Sequence, residues 1–277
     1  GGDGNQDCLK LSGLRDVVVV DSSFARCGGS GSGSGIDMVG VHRAVIARSS
    51  FREHSGNAVQ AKGGSSNIEI RWNRMIEAGE RAVNLGGSTG PAWFRPPLDR
   101  GAANAEARDV RVLANLIVGG VTPLAFVGCV DCLASHNTIV DPRRWSLRIL
   151  QETTSRDGYE FEPSRSGRVL NNVFVFSRSQ VASDVNVGPN TAPGTFSFAN
   201  NLWFARDAPA RSRPSLPVAE TGAVIGEDPL LDGEFAPLPG SPAIGAGIAL
   251  SEVPGDLVGA CYLDPPSIGA REARAVP

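Results

Sequence analysis

The sequence predicts an all-β chain wound as a parallel β-helix, a single-stranded solenoid of about seven or more coils. Three observations point there. Thirty-four glycines and 19 prolines stand against two tyrosines and two methionines in 277 residues, a turn-rich composition that suits strands better than helices. Seven short strand-forming segments share one pattern, in which a β-branched stretch meets a small polar residue and then an apolar one. A second set of strands interleaves with the first and often ends in glycine.

The seven segments cover 16–24, 43–51, 67–75, 109–117, 131–139, 166–174 and 195–203. Aligned without gaps, they place Ser22, Ser49, Asn73, Asn115, Asn137, Asn172 and Asn201 in one column, at steps of 27, 24, 42, 22, 35 and 29 residues. A base period in the low twenties matches one solenoid coil. Each strand then lies ~4.8 Å above its predecessor, with side chains alternating in and out. Asparagine suits a sharp turn because it tolerates left-handed backbone, and its amide can bond the same amide one coil away. A β-sandwich would need tight hairpin turns about every 8–12 residues, and that punctuation is missing.

The second set covers 8–13, 35–40, 59–64, 83–87, 124–128 and 147–151. Aligned on Gly13, Gly40, Gly63, Gly87 and Gly128, it separates into faces by the period of two. Leu11, Met38, Ala61, Leu85, Phe126 and Ile149 form an inward, wholly apolar column. Outward columns hold Lys10, Asp37, Gln60, Asn84, Ala125 and Arg148, and beside them Ser12, Val39, Lys62, Gly86, Val127 and Leu150. Each coil thus has at least two strands. The long steps locate insertions near 88–108 and 153–165, expected on one face and expected to shape a binding site. One domain is expected over 1–277, with 205–222 read as a loop and the chain irregular from about 205.

Composition excludes several function classes. With 29 acidic and 26 basic side chains the net charge is −3, against a general nucleic-acid binder. No apolar run approaches the ~20 residues of a membrane span. A chain starting at Gly1 without methionine or leader reads as a processed or truncated product. Cys129 and Cys132 form a CxxC without a second pair or nearby histidines, so zinc and redox roles are disfavoured. The five cysteines are expected to be small buried residues or to form one or two bridges.

The outward stripe gathers Lys10, Asp37, Gln60, Lys62, Asn84 and Arg148. It carries both lysines of a chain whose 26 basic residues are otherwise arginine. Lysine can shed its proton when desolvated and arginine cannot, which marks the two for attention. The plain alternative is that charged outward residues keep a solenoid soluble.

The repeat, together with DPLLDGEFAPLPGSPAIGAG (228–247) and PSIGARE (266–272), resembles the right-handed parallel β-helix proteins of carbohydrate metabolism, chiefly polysaccharide lyases and epimerases. Within that group AVQAKGGSSNIEIRWNRM (58–75) is similar to the catalytic-strand segment of the chondroitinase B and alginate lyase family. The resemblance implies a secreted, cell-surface or periplasmic protein, expected to be a monomer, acting on an acidic polysaccharide. It implies Lys62 as the base. Calcium belongs to that chemistry, but the acidic ligand expected five residues before the lysine is Asn57 here, and the arginine of the next coil is replaced by Gly86 or its neighbours.

β-Elimination from a uronate needs the carboxylate neutralised, a base for the C5 proton and an acid for the leaving oxygen. Lys62 and Arg148 are therefore the catalytic candidates, with Lys10 as an alternative carboxylate partner and Tyr159 or His54 as the acid. Lys10, Asp37, Gln60, Asn84, Trp93 and Arg95 are the substrate-binding candidates, and Trp93, Phe94 and Trp145 the sugar-stacking aromatics. Hydrolysis would need two or three neighbouring carboxylates, and Asp37 is the only acid in the stripe. An epimerase would show Asp-Pro-His-Glu, where Asp141-Pro142 is followed by Arg143 and Arg144. A non-catalytic carbohydrate-binding or adhesin-like solenoid is the remaining alternative.

Overall fold

A computed structural model describes residues 6–29 and 33–273; the remainder of the expected 1–277 domain lies outside the described residues. Three strands make each coil, and successive coils stack them into parallel sheets of seven, nine and eight strands. The first sheet runs from Leu9–Ser12 through Ser34–Val39, Asn57–Lys62, Arg81–Gly86, Thr122–Val127 and Leu147–Leu150 to Val185–Val187. Each repeat segment supplies two strands where the sequence suggested one. Arg15–Val20 and Ser23–Ala25 flank Ser22, and Ala107–Leu113 and Leu116–Val118 flank Asn115. The result is the expected parallel β-helix, with seven full coils among the described residues. Glu220–Thr221 and Val224–Ile225 begin an eighth, the first of them inside the stretch read as a loop.

The column residues stack at the corner between the second and third sheets. Asn73, Asn115, Asn137 and Asn172 each donate Nδ2 to the Oδ1 of the next asparagine at 2.9–3.0 Å, and their backbone N–H groups bond the same Oδ1 atoms at 2.9–3.0 Å. Each Nδ2 also donates to a carbonyl of the preceding coil, as from Asn137 to Val112 at 2.9 Å. Every amide therefore has its polar atoms satisfied although the five asparagines are 0% exposed. Ser49 ends one side of the ladder, its Oγ accepting from Ser22 N–H at 3.2 Å and donating to the Ala47 carbonyl at 2.9 Å. Glu220 ends the other, accepting from Asn201 N–H at 3.1 Å and Nδ2 at 2.6 Å and from Trp203 Nε1 at 2.8 Å. Only an acceptor is wanted there, and a carboxylate has nothing left to donate.

The left-handed residue at this corner is not the asparagine but the one before it. Asp21, Arg48, Trp72, Ala114, His136, Asn171 and Asn200 take φ between 48° and 59°. One left-handed residue swings the chain through the corner, at a cost of roughly 1–2 kcal/mol for a side-chain-bearing residue. The amide ladder alone explains the asparagine column.

The inward column is as the period of two dictates. Met38, Ala61, Leu85, Phe126 and Ile149 are 0% exposed and pair in register, while Leu11, in the first coil, is half-buried. Phe24 stacks on Phe51 and Phe174 on Trp203, with centroids 5.1 and 4.0 Å apart. Cys8–Cys27 joins the beginning and end of the first coil, and Cys129 bridges Cys132, giving two structural disulfides; Cys261 is free and exposed. The stretch 228–273 returns along the left-handed corner. There Trp72 Nε1 donates to the Gly255 carbonyl at 2.9 Å, Asn171 exchanges two bonds with Ile248 and Asn200 Nδ2 bonds the Ala246 carbonyl.

Both insertions leave from the opposite corner, between the first and second sheets, and they touch. Phe94 of the first packs on Phe161 of the second with centroids 5.6 Å apart, and Asn104 exchanges backbone bonds with Glu160 and Glu162 at 2.8 Å.

Two stability outcomes follow. Asn137→Ala leaves the Asn115 donors and the Val112 carbonyl unmatched in a dry corner, so denaturant unfolding should show a loss of about 3 kcal/mol; a loss below about 1 kcal/mol contradicts a ladder that holds the coils. Phe126→Ala should cost about 3–5 kcal/mol where the site cannot collapse.

Candidate functional site

Lys10, Asp37, Gln60 and Asn84 pair one after another across the first sheet, and Val39 pairs with Lys62 in the neighbouring outward row. Beyond Asn84 the strand ends at Gly86 and Gly87, and the chain folds back over this face. A Cβ on Gly87 would sit 2.8 Å from Gln60 Nε2 and 3.4 Å from Lys62 Cδ, at a φ of +147°. That positive φ is one that side-chain-bearing residues rarely adopt, which favours glycine here.

This crossing changes the reading of two outward residues. Gln60 Nε2 and Asn84 Nδ2 both donate to the Gly86 carbonyl, at 3.3 and 3.2 Å. Asn84 Oδ1 accepts from Arg81, which also pairs with Glu152 at 2.8 Å. Asp37, Gln60 and Asn84 are thus outward in register yet buried, at 1%, 8% and 1% exposed. Gln60 and Asn84 hold the floor together rather than face a ligand, which corrects their assignment as substrate-binding residues.

What stays open is a cleft of about 390 Å³ lined by Lys10, Ser12, Val39 and Lys62 from the sheet and by Ser88, Thr89, Gly90 and Trp93 from the first insertion. Asp37 lies beneath it, one ladder step from each lysine strand. Its Oδ2 accepts a hydrogen bond from Lys10 Nζ and lies 3.7 Å from Lys62 Nζ. Oδ1 is buried without a hydrogen-bond partner. Two ammonium groups therefore meet at the buried Asp37, and Lys10 also pairs with Asp7 at 3.5 Å. Trp93 stands at the rim, 62% exposed.

Glu106, at the end of the first insertion, holds Thr89 of the cleft wall in place and was not singled out from the sequence. It accepts from Gly63 N–H at 3.1 Å, Thr89 N–H at 2.9 Å and Thr89 Oγ1 at 2.8 Å, tying the insertion to the corner beside Lys62. Burial pushes its carboxyl above the ordinary range, against the pull of these donors and of the Lys62 charge. A lone Glu in the small-residue run 101–107 was the only signal.

The other candidates lie elsewhere. Arg148 projects from the sixth coil, three ladder steps from the Lys62 strand and so about 14 Å along the axis. It does not share one sugar ring with Lys62, and its pairing with that base is corrected. The Arg95 guanidinium bonds the Ala92 and Phe94 carbonyls at 3.0 and 2.7 Å, and its backbone N–H bonds Gly63. It braces the insertion and does not line the cleft. Tyr159 sits in the hairpin Ser155–Arg156/Tyr159–Glu160, with Arg100 over its ring at 4.3 Å. Asn57 donates to Ser34 Oγ at 3.2 Å and supplies no carboxylate, so the residues here do not fit the calcium that the resemblance implies.

No histidine enters the cleft. His54 accepts from Cys27 N–H at 3.2 Å and packs on Phe51, so it is a core residue and not the expected acid. Desolvation pulls it down to about 4 from 6.5, and pulls His136 down to about 3 from 6.5. Both stay neutral when folded and charge more readily when unfolded. Their contribution is present above pH 6.5 and is lost as pH falls toward these values. His54→Asn keeps an acceptor near Cys27 without titrating. The stability of the wild type relative to this variant should rise from pH 4 to 6.5 and then level off; a pH-independent difference in denaturant melts would contradict it.

These residues are read from their own geometry, because no protein-family model matches the chain and no curated protein matches it.

Proposed function

We propose that the protein cleaves an acidic, uronate-containing polysaccharide by β-elimination in the Lys10–Lys62 cleft. One observation carries the reading: two lysines converge on the buried Asp37 carboxylate in a groove with an exposed tryptophan at its rim. An ammonium group neutralises a uronate carboxylate, and an indole face stacks on a sugar ring. The sequence around Lys62 resembles a lyase catalytic strand, which favours elimination over hydrolysis. The two disulfides suit an oxidising compartment and so a secreted, surface or periplasmic setting.

In this reading Lys10, the more exposed of the two, meets the uronate carboxylate and makes the C5 proton acidic. Lys62 acts as the base in its uncharged form, and Asp37, 3.7 Å away, positions its side chain. The free amine then removes the C5 proton. The C5–H electron pair becomes the C4–C5 double bond, the C4–O bond breaks, and the leaving oxygen takes a proton from water.

Alginate, pectate and glycosaminoglycans assayed for the absorbance of an unsaturated uronide test the reading. Lys62→Met should reduce turnover by about 10³-fold or more while the fold persists. Lys62→Arg should be nearly as damaging, since guanidinium keeps its proton. Reducing ends without the unsaturated product would indicate a hydrolase, and near-normal activity in Lys62→Arg would remove Lys62 as the base.

A further inference from the structure

The displaced Arg148 belongs to a second group of cations. Its Nε donates to Asn186 Oδ1 at 3.0 Å, and its guanidinium lies 4.2 Å from the Trp145 ring centroid. Arg144 lies 4.1 Å from the same ring. Among the described residues neither arginine makes an ion pair with a carboxylate, whereas nearby Arg81 is matched by Glu152 at 2.8 Å and Arg143 by Glu77. Glu80 and Glu152 are the acids that act on Arg148 from a distance. Burial and the charges of Arg81 and Arg144 make its protonation harder than usual. Two like charges gathered on one indole repel each other, and an anion between or beside them would relieve that repulsion.

We propose that Arg144, Trp145 and Arg148 form a second subsite, which holds a carboxylate or sulfate group of an acidic polysaccharide several sugars away from the Lys62 cleft. The ligand class rests on the polysaccharide reading above. The placement rests on this chain alone. Arg148 stands in the outward row that contains Lys10, Asp37, Gln60 and Asn84, continued through Ala125, so Arg148 and the Lys62 cleft lie along the same sheet. Guanidinium groups present paired donors to a carboxylate or sulfate, and the indole fixes their planes before a ligand arrives. A span of about 14 Å suits an extended oligosaccharide and exceeds the reach of a disaccharide.

The test compares octasaccharides and disaccharides of uronate and of sulfated chondroitin, by calorimetric titration at low and high salt and by the elimination assay. The proteins are the wild type, Lys62→Met and Arg144→Gln/Arg148→Gln, with near-ultraviolet circular dichroism to check the fold. The arginine variant should weaken octasaccharide binding about ten-fold and flatten its salt dependence, with little change for the disaccharide. Preference between the uronate and sulfated series identifies the anion. An octasaccharide that is cleaved and bound as tightly by the arginine variant overturns the subsite and leaves the elimination reading standing. Arginine-dependent binding without cleavage overturns elimination and keeps the subsite. No binding by any oligosaccharide overturns both.

Discussion

A buried column of side-chain amides holds the coils in register, and the rest of the molecule depends on it. In that column each asparagine presents one acceptor to two donors of the preceding coil and spends its own N–H bonds on the next amide and on a carbonyl behind it. A corner made this way leaves no polar atom wanting, although it is sealed from water. The geometry also fixes which residue must be left-handed. The backbone turns one position early, and the amide is then free to lie along the stack.

Anchoring one corner frees another. The ladder sits between the second and third sheets, while both insertions leave between the first and second. Chain added there lengthens a coil to 42 or 35 residues without disturbing the stack. The insertions then pack on each other through Phe94 and Phe161. Stability and site are thereby built at different corners of the same coil. The return of 228–273 along the left-handed corner covers the ladder side and leaves the cleft uncovered.

The electrostatics of the cleft follow from that packing. A solvent-exposed Asp37 would be one charge among many on a soluble face. Set between the two lysine strands, it becomes a buried carboxylate with one oxygen engaged and one free. Removing both lysines would leave Asp37 an uncompensated charge away from water, whereas removing one leaves it paired with the other. Glu106 performs a mechanical task beside it, clamping the Thr89 loop to Gly63.

The strand columns, the apolar inward face and the asparagine stack were legible in the sequence, because each depends on neighbours spaced by the coil period. Period and polarity therefore determined the fold, the register that sets Lys10, Asp37 and Gln60 side by side, and the single face shared by both insertions. The sequence could not decide which outward residues would remain exposed. Gln60 and Asn84 were covered by a crossing at Gly86–Gly87 whose path depends on close contact, and Glu106 reached Lys62 only by the folding back of a long insertion. Arg148 shares their column, but three coil rises separate it from Lys62. Alignment reports the row of a side chain. Distance along the axis and what lies over the row are products of tertiary packing, and those two quantities chose the cleft.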